Sequence, residues 1–262
     1  MNKRWNRKGQ ITIFIIIGII IVVAGFLIYS FYPQIKTTFG AQAKTPQSYI
    51  QTCIEKGITD AVTKISLQGG SLNPENFILK DNNKVEFLCY TNQYFKATNK
   101  VFCVVQQPML KQHIESEIKN AISSEVNSCF SSMKSSYESQ GYSVDLKSGA
   151  TSVELLPKRI VSTFNYSLTL TKGDTQKYDS FVVILNNNLY ELVAIANSIL
   201  QWEVAYGDAE VTTYMAYYHD LKVEKDLRDS GEKIYSITDR NTGNKFEFAS
   251  KSQIWAAGYA TS

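Results

Sequence analysis

Only two histidines, His113 and His219, are available for proton transfer near neutral pH, so they are the natural starting points for any chemistry in this chain. His113 and Glu117 stand one helical turn apart, a spacing that can present a pair of metal ligands. A two-ligand site gives little affinity or control of geometry, and no second histidine or HExxH pattern completes it. The pair therefore reads as part of a solvated helix face. His219-Asp220 could form an acid–base pair, yet no G-x-S-x-G nucleophile motif accompanies it, and it reads as a surface or capping dipeptide. Gly69-Gly70 has no phosphate-loop context and is better explained as a helix stop. No residue is assigned a catalytic, cofactor-binding or metal-ligating role, and no cofactor is expected.

The cysteines carry a stronger signal. Cys53, Cys89, Cys103 and Cys129 are even in number and lack any C-x-x-C pair, which argues for two disulfides over a zinc site. Four cysteines allow three pairings, and local structure ranks them. Over 46–66, Ile50, Cys53, Ile54, Ile58, Ala61, Val62 and Ile65 recur at helical spacing, with Pro46 in the first turn and Gly69-Gly70 beyond the end. After Pro108, the same rhythm runs from Leu110 through Ile114, Ile118, Ile122, Val126, Cys129 and Met133 to a stop near Gly141. Cys53 and Cys129 lie on the apolar faces of these two helices. Between them, residues 85–90 and 101–105 read as a hairpin that brings Cys89 opposite Cys103. The pairing expected is Cys53–Cys129 with Cys89–Cys103.

The C-terminal half changes character. From Ile160 to Thr171, Phe164, Tyr166, Leu168 and Leu170 alternate with Thr163, Asn165, Ser167 and Thr169, the pattern of one half-buried antiparallel strand. Val153 and Leu155 supply a neighbour, Phe181–Leu185 another strand, and 188–205 a helix. Ile234–Ile237 and Lys245–Phe248 flank the turn sequence Asp239–Gly243 as a hairpin. Asn165-Tyr166-Ser167 is a glycosylation sequon, marking Asn165 as an acceptor on an exported surface. Tyr206, Tyr214, Tyr217 and Tyr218 can either fill a core or supply rigid amphipathic contact area.

These elements must be delivered across a membrane. From Ile11 to Phe31 the chain has no charged residue, and as a helix it would span roughly 30 Å, a bilayer's hydrocarbon core. Lys3, Arg4, Arg7 and Lys8 precede it, and no acidic residue occurs before Glu55, so the positive-inside rule sends the rest of the chain outward. Without those four cations, 23 basic residues face 24 acidic ones, which leaves no basic stripe to grip nucleic acid. Gly18 and Gly25 are seven apart and share one helix face, suited to close helix packing. The apolar run is too long for an ordinary signal peptide, and the nearest A-x-A site after it, Ala41-Gln42-Ala43, lies well beyond it.

The residues just before the helix, Arg7-Lys8-Gly9-Gln10, followed by Ile11-Thr12-Ile13-Phe14, resemble the class III signal of archaeal type IV pilin-like, membrane-anchored surface proteins. The resemblance covers only the first thirty or so residues. It implies processing between Gly9 and Gln10 by a prepilin-type peptidase, with Gln10 as the mature N-terminus. Where that family often carries a Glu that registers subunits in a filament, this chain has Phe14. A homo-oligomeric filament and a standalone anchored domain both remain open on that ground.

The expected architecture is α+β: a cytoplasmic basic leader over 1–10 and a single transmembrane helix over 11–32. A disulfide-stabilised ectodomain of long helices and antiparallel sheet follows, with a helical region and cysteine hairpin over 33–141 and an α+β domain over 142–262. The expected role is that of a cell-surface structural or adhesive protein, anchored in the cell membrane by a single pass and acting through assembly or a surface partner. The alternative is an anchored extracytoplasmic enzyme or ligand-binding domain.

Overall fold

The computed structural model describes residues 21, 45–93 and 102–252. The basic leader, Gly9, Gln10, Gly18, Gly25 and the apolar run over 11–32 (Ile21 aside) therefore lie outside the described residues. Among the described residues no helix is long and apolar enough to cross a membrane. The chain forms two compact units, Met1–Thr45 and Pro46–Ser262, and the second holds all the elements that follow.

Two long helices organise this unit. Helix α1 (Pro46–Leu67) buries Ile50, Ile54, Ile58, Val62 and Ile65, and α2 (Leu110–Ser139) buries Ile114, Ile118, Ile122, Val126 and Phe130. These stripes at three- and four-residue steps pack together, and Cys53–Cys129 joins the helices with Cα atoms 6.0 Å apart. Phe130, beside that bridge, stacks on Tyr166 at 4.0 Å between ring centroids and meets Phe181 edge-on at 5.1 Å. Helix α1 ends where Gly70 N donates to Ile65 O at 2.9 Å, with Gly69 at φ +77°.

Strands outnumber helices. β1 (Phe77–Lys80), β2 (Asn83–Tyr90) and β3 (Val104–Val105) come before α2. Next come β4 (Ser143–Lys147), β5 (Thr151–Leu156), β6 (Arg159–Phe164), β7 (Ser167–Lys172), β8 (Asp174–Tyr178) and β9 (Phe181–Asn186). Helices α3 (Leu189–Tyr206) and α4 (Val211–Tyr217) precede β10 (Leu221–Leu227), β11 (Lys233–Asp239) and β12 (Lys245–Lys251). The largest sheet runs β1-β2-β12-β11-β10, with β3 also on β2, while β4-β7-β8 and β5-β6-β9 form two three-stranded sheets. All pairings are antiparallel except β2 with β12. Residues on both sides of position 141 thus share one sheet and one core.

The architecture is α+β with mainly antiparallel sheet and both expected disulfides, Cys53–Cys129 and Cys89–Cys103. The description of the ectodomain as long helices and antiparallel sheet needs correction in its balance, because strands form most of its described elements. The single strand expected over 160–171 is also corrected. It is two strands, β6 and β7, in different sheets. The break falls at exposed Asn165, whose N–H donates to Ala150 O at 2.9 Å. Gly149 permits this approach, since a Cβ there would lie 1.8 Å from Asn165 O. Even-numbered residues stay buried on both sides of the bend, which is why alternation alone suggests one strand.

The two disulfides close loops of very different length. Chain entropy assigns about 4.5 kcal/mol to the 76-residue separation of Cys53–Cys129 and about 3 kcal/mol to the 14-residue separation of Cys89–Cys103. Paired Cys→Ser substitutions followed by denaturant melts should show the larger loss for Cys53/Cys129. An equal or reversed order would contradict this ranking.

Candidate functional site

The most exposed aromatic surface is built on α3, and its orientation is fixed from the inside. Glu203 is 0% exposed. It accepts from Lys233 Nζ at 2.9 and 3.1 Å, from Ser250 Oγ at 2.7 Å, and from the Tyr235 hydroxyl. Lys233 also donates to Gly207 O and to Ser252 Oγ. Burial, and then the neighbouring Glu203 charge, push the Tyr235 phenol far above its ordinary value, so it stays a donor. Burial alone would raise Asp208, but hydrogen bonding from Lys225 and the Lys233 charge outweigh it and hold that carboxyl below its usual range.

With Glu203 turned inward, a row of α3 residues that winds away from it reaches the surface. Tyr190, Ala194, Ser198, Trp202 and Tyr206 follow at four-residue steps, a line of roughly 24 Å at helical rise. Trp202 is 49% exposed and Tyr206 63%, and their rings lie 5.0 Å apart. Helix α4 follows, capped by Glu210, whose side chain accepts from Thr212 N at 3.0 Å. Tyr217 at 79% and Tyr218 at 55% exposure form a shared wall between two hollows. One hollow, of about 270 Å³, lies against Ser198, Trp202 and Tyr214; the other, of about 730 Å³, lies against Tyr190, Glu191, Ile195 and Asp220. Tyr214 is half-buried and bonded to Ser198 at 2.8 Å. His219 and Asp220 are exposed at the rim of the larger hollow.

A second polar site lies elsewhere in the unit. His113 and Glu117 do not form a solvated face: both are half-buried against the turn that follows α1. Ser71 Oγ donates to Glu86 Oε2 and lies 2.8 Å from His113 Nε2, while Glu117 Oε2 accepts from Leu72 N at 2.7 Å. Gly69 makes this possible, since a Cβ there would come within 2.7 Å of Glu86 Cβ. These groups border a cavity of about 400 Å³. A hydroxyl has one proton, so while Ser71 donates to Glu86 the His113 ring must donate through Nε2. In that arrangement the set ties a turn, a strand and a helix together. Burial raises the Glu86 carboxyl, with the Ser71 hydrogen bond and the His113 charge opposing it in part.

The sequence placed His113 with Glu117 and His219 with Asp220, but it did not foresee Ser71 or Glu86. Each is distant in sequence from His113 and has no motif of its own. Trp202 and Tyr190 were also missed, although their spacing along the helix was available as a signal. Asn165 is exposed at the bend between β6 and β7. Among the described residues no trio of His, Cys, Asp or Glu is arranged to hold a metal ion. No protein family, curated protein or solved structure matches this chain.

Glu86 gives this site a pH dependence of known sign. A carboxyl raised in the folded state keeps its proton where the unfolded chain, at about pH 4.3, has lost it. Its contribution to stability is therefore full below that pH and is lost as pH rises through the folded value. Glu86→Gln removes this dependence. In thermal melts, the stability of the wild type relative to the variant should fall from pH 4 toward neutrality, and a flat or rising difference would contradict the assignment.

Proposed function

We propose that the chain is a membrane-anchored, pilin-like cell-surface protein that works by binding or assembly, and that its contact surface is the aromatic stripe of α3 and α4. The observation that carries this reading is the exposure of Trp202 and Tyr206 on α3 and of Tyr217 and Tyr218 at the end of α4. Folding gains nothing from leaving such rings in water, whereas rigid aromatic side chains are the favoured anchors of interfaces. The charge-free run from Ile11 to Phe31, the four cations before it and the class III-like Lys8-Gly9-Gln10 sequence support an anchor with the folded unit outside. Two disulfides suit an oxidising location. Gly18 and Gly25 would let anchors approach one another in an assembly.

Intact native cells treated with a membrane-impermeant lysine reagent should show labelling of the Pro46–Ser262 unit, and the mature chain should begin at Gln10. Cells carrying Tyr217→Ala with Tyr218→Ala should lose most attachment to surfaces or to one another, with the isolated variant's melting temperature unchanged. Labelling only after lysis would refute the surface location. Full attachment by a folded variant would refute the contact surface.

A further inference from the structure

The charges around the aromatic stripe indicate what it contacts. The larger hollow is bordered by Glu191, Asp220 and Asp239 against Lys158, with exposed His219 at its rim, and the smaller hollow by Glu210. None of these four carboxylates forms an ion pair among the described residues. Asp239 is engaged with neutral donors, accepting from Asn241 N at 2.8 Å, Thr242 N at 2.9 Å and Asn188 Nδ2 at 2.7 Å, so its charge is uncompensated. Glu191 is more telling. Its Oε1 accepts from Lys158 N at 3.0 Å, but its Oε2 is buried with no hydrogen-bond partner. A carboxylate oxygen withdrawn from water without a donor is costly, and a cation held in the hollow beside Glu191 would offset that cost through its charge.

We propose that this stripe binds an extended basic segment of a partner protein. Its lysine or arginine side chains lie against Tyr190, Tyr217 and Tyr218, and one of them pairs with Glu191 and Asp220. Cations are drawn to tyrosine faces, and the excess of carboxylates strengthens that preference. The two hollows share the Tyr217–Tyr218 wall, and the α3 residues that line them run from Tyr190 to Trp202, roughly 18 Å of helix, a length that about five or six extended residues span. A single small cation would fill only one hollow. A neutral ligand would leave several carboxylates desolvated with no opposite charge. This proposal rests on the stripe being the contact surface.

The test uses the full chain in zwitterionic lipid nanodiscs and a fluorescent heptapeptide of alternating arginine and leucine. Saturable binding should weaken markedly with added salt. Glu191→Gln with Asp220→Asn, and separately Tyr217→Ala with Tyr218→Ala, should each lower affinity about tenfold or more with melting temperatures unchanged, which corresponds to about 1.4 kcal/mol. Equal binding of a peptide with glutamate in place of arginine would overturn the proposal, as would equal binding by both variants. Binding of a neutral oligosaccharide without binding of the basic peptide would also overturn it. If the tyrosine variant abolishes cell attachment while the basic peptide does not bind, the contact surface stands and the basic partner is refuted. If neither attachment nor peptide binding responds to the tyrosine variant, both are refuted.

Discussion

A single buried carboxylate sets the orientation of the surface that matters most. Glu203 sits inside the core with Lys233, Tyr235 and Ser250 filling its hydrogen-bonding capacity. Burying such a pair carries a desolvation penalty that a hydrophobic pair would avoid, and removing one partner typically costs about 3–5 kcal/mol. The return is positional. A helix held only by apolar contacts can rotate slightly at small cost, whereas one whose carboxylate must meet a lysine from β11 and a serine from β12 cannot. Trp202 adjoins Glu203 in sequence and Tyr206 follows one turn after Trp202, so both are pointed outward by the same constraint.

A second fixed point lies where α1 meets α2. Cys53–Cys129 joins the helices beside Phe130, whose ring contacts Tyr166 of the β6–β7 bend and Phe181 of β9. The bridge thus ties the helical layer to two separate sheets through one aromatic residue. Further along, Gly69 lets the chain leaving α1 close on β2, which brings Ser71 between Glu86 and His113. Covalent and polar ties therefore hold opposite ends of the same helix pair.

How much of this was legible follows from the range of each interaction. Cys53 and Cys129 each sat on an apolar stripe, so their pairing could be read from helical periodicity. The β11–β12 hairpin was equally plain from its turn residues. β8, with the sequence DTQKY, is largely exposed and carries no apolar alternation to detect, and β4 (SVDLK) alternates Val144 and Leu146 with polar residues over only five positions. The bend at Asn165 preserves side-chain parity, so the period-2 pattern continues through it unchanged. His113 looked solvated because its partner Ser71 is 42 residues away, in a turn after a different helix. The aromatic stripe was half legible: the tyrosines were visible, but the outward turn of Tyr206 depends on Glu203, and one sequence does not reveal that a glutamate will be buried.

The two walls of the aromatic surface are held very differently. Helix α3 is locked by its core-facing residues and by Glu203. Helix α4 has no fully buried residue and is held by half-buried Tyr214 and Met215, by its Glu210 cap and by the Ser198–Tyr214 hydrogen bond. Just upstream, Lys225 fastens the connecting turn through Asp208 at 2.8 Å and Ala209 O at 3.1 Å. Few buried apolar contacts mean a low free energy for local rearrangement. Tyr217 and Tyr218 thus sit on an adjustable wall, while Trp202 and Tyr206 sit on a rigid one. A rigid wall lowers the ordering cost of binding, and an adjustable wall lets the hollows fit side chains of different size. That division of labour follows from where the ties fall: the Glu203–Lys233 ion pair is buried under α3, whereas α4 has no fully buried residue.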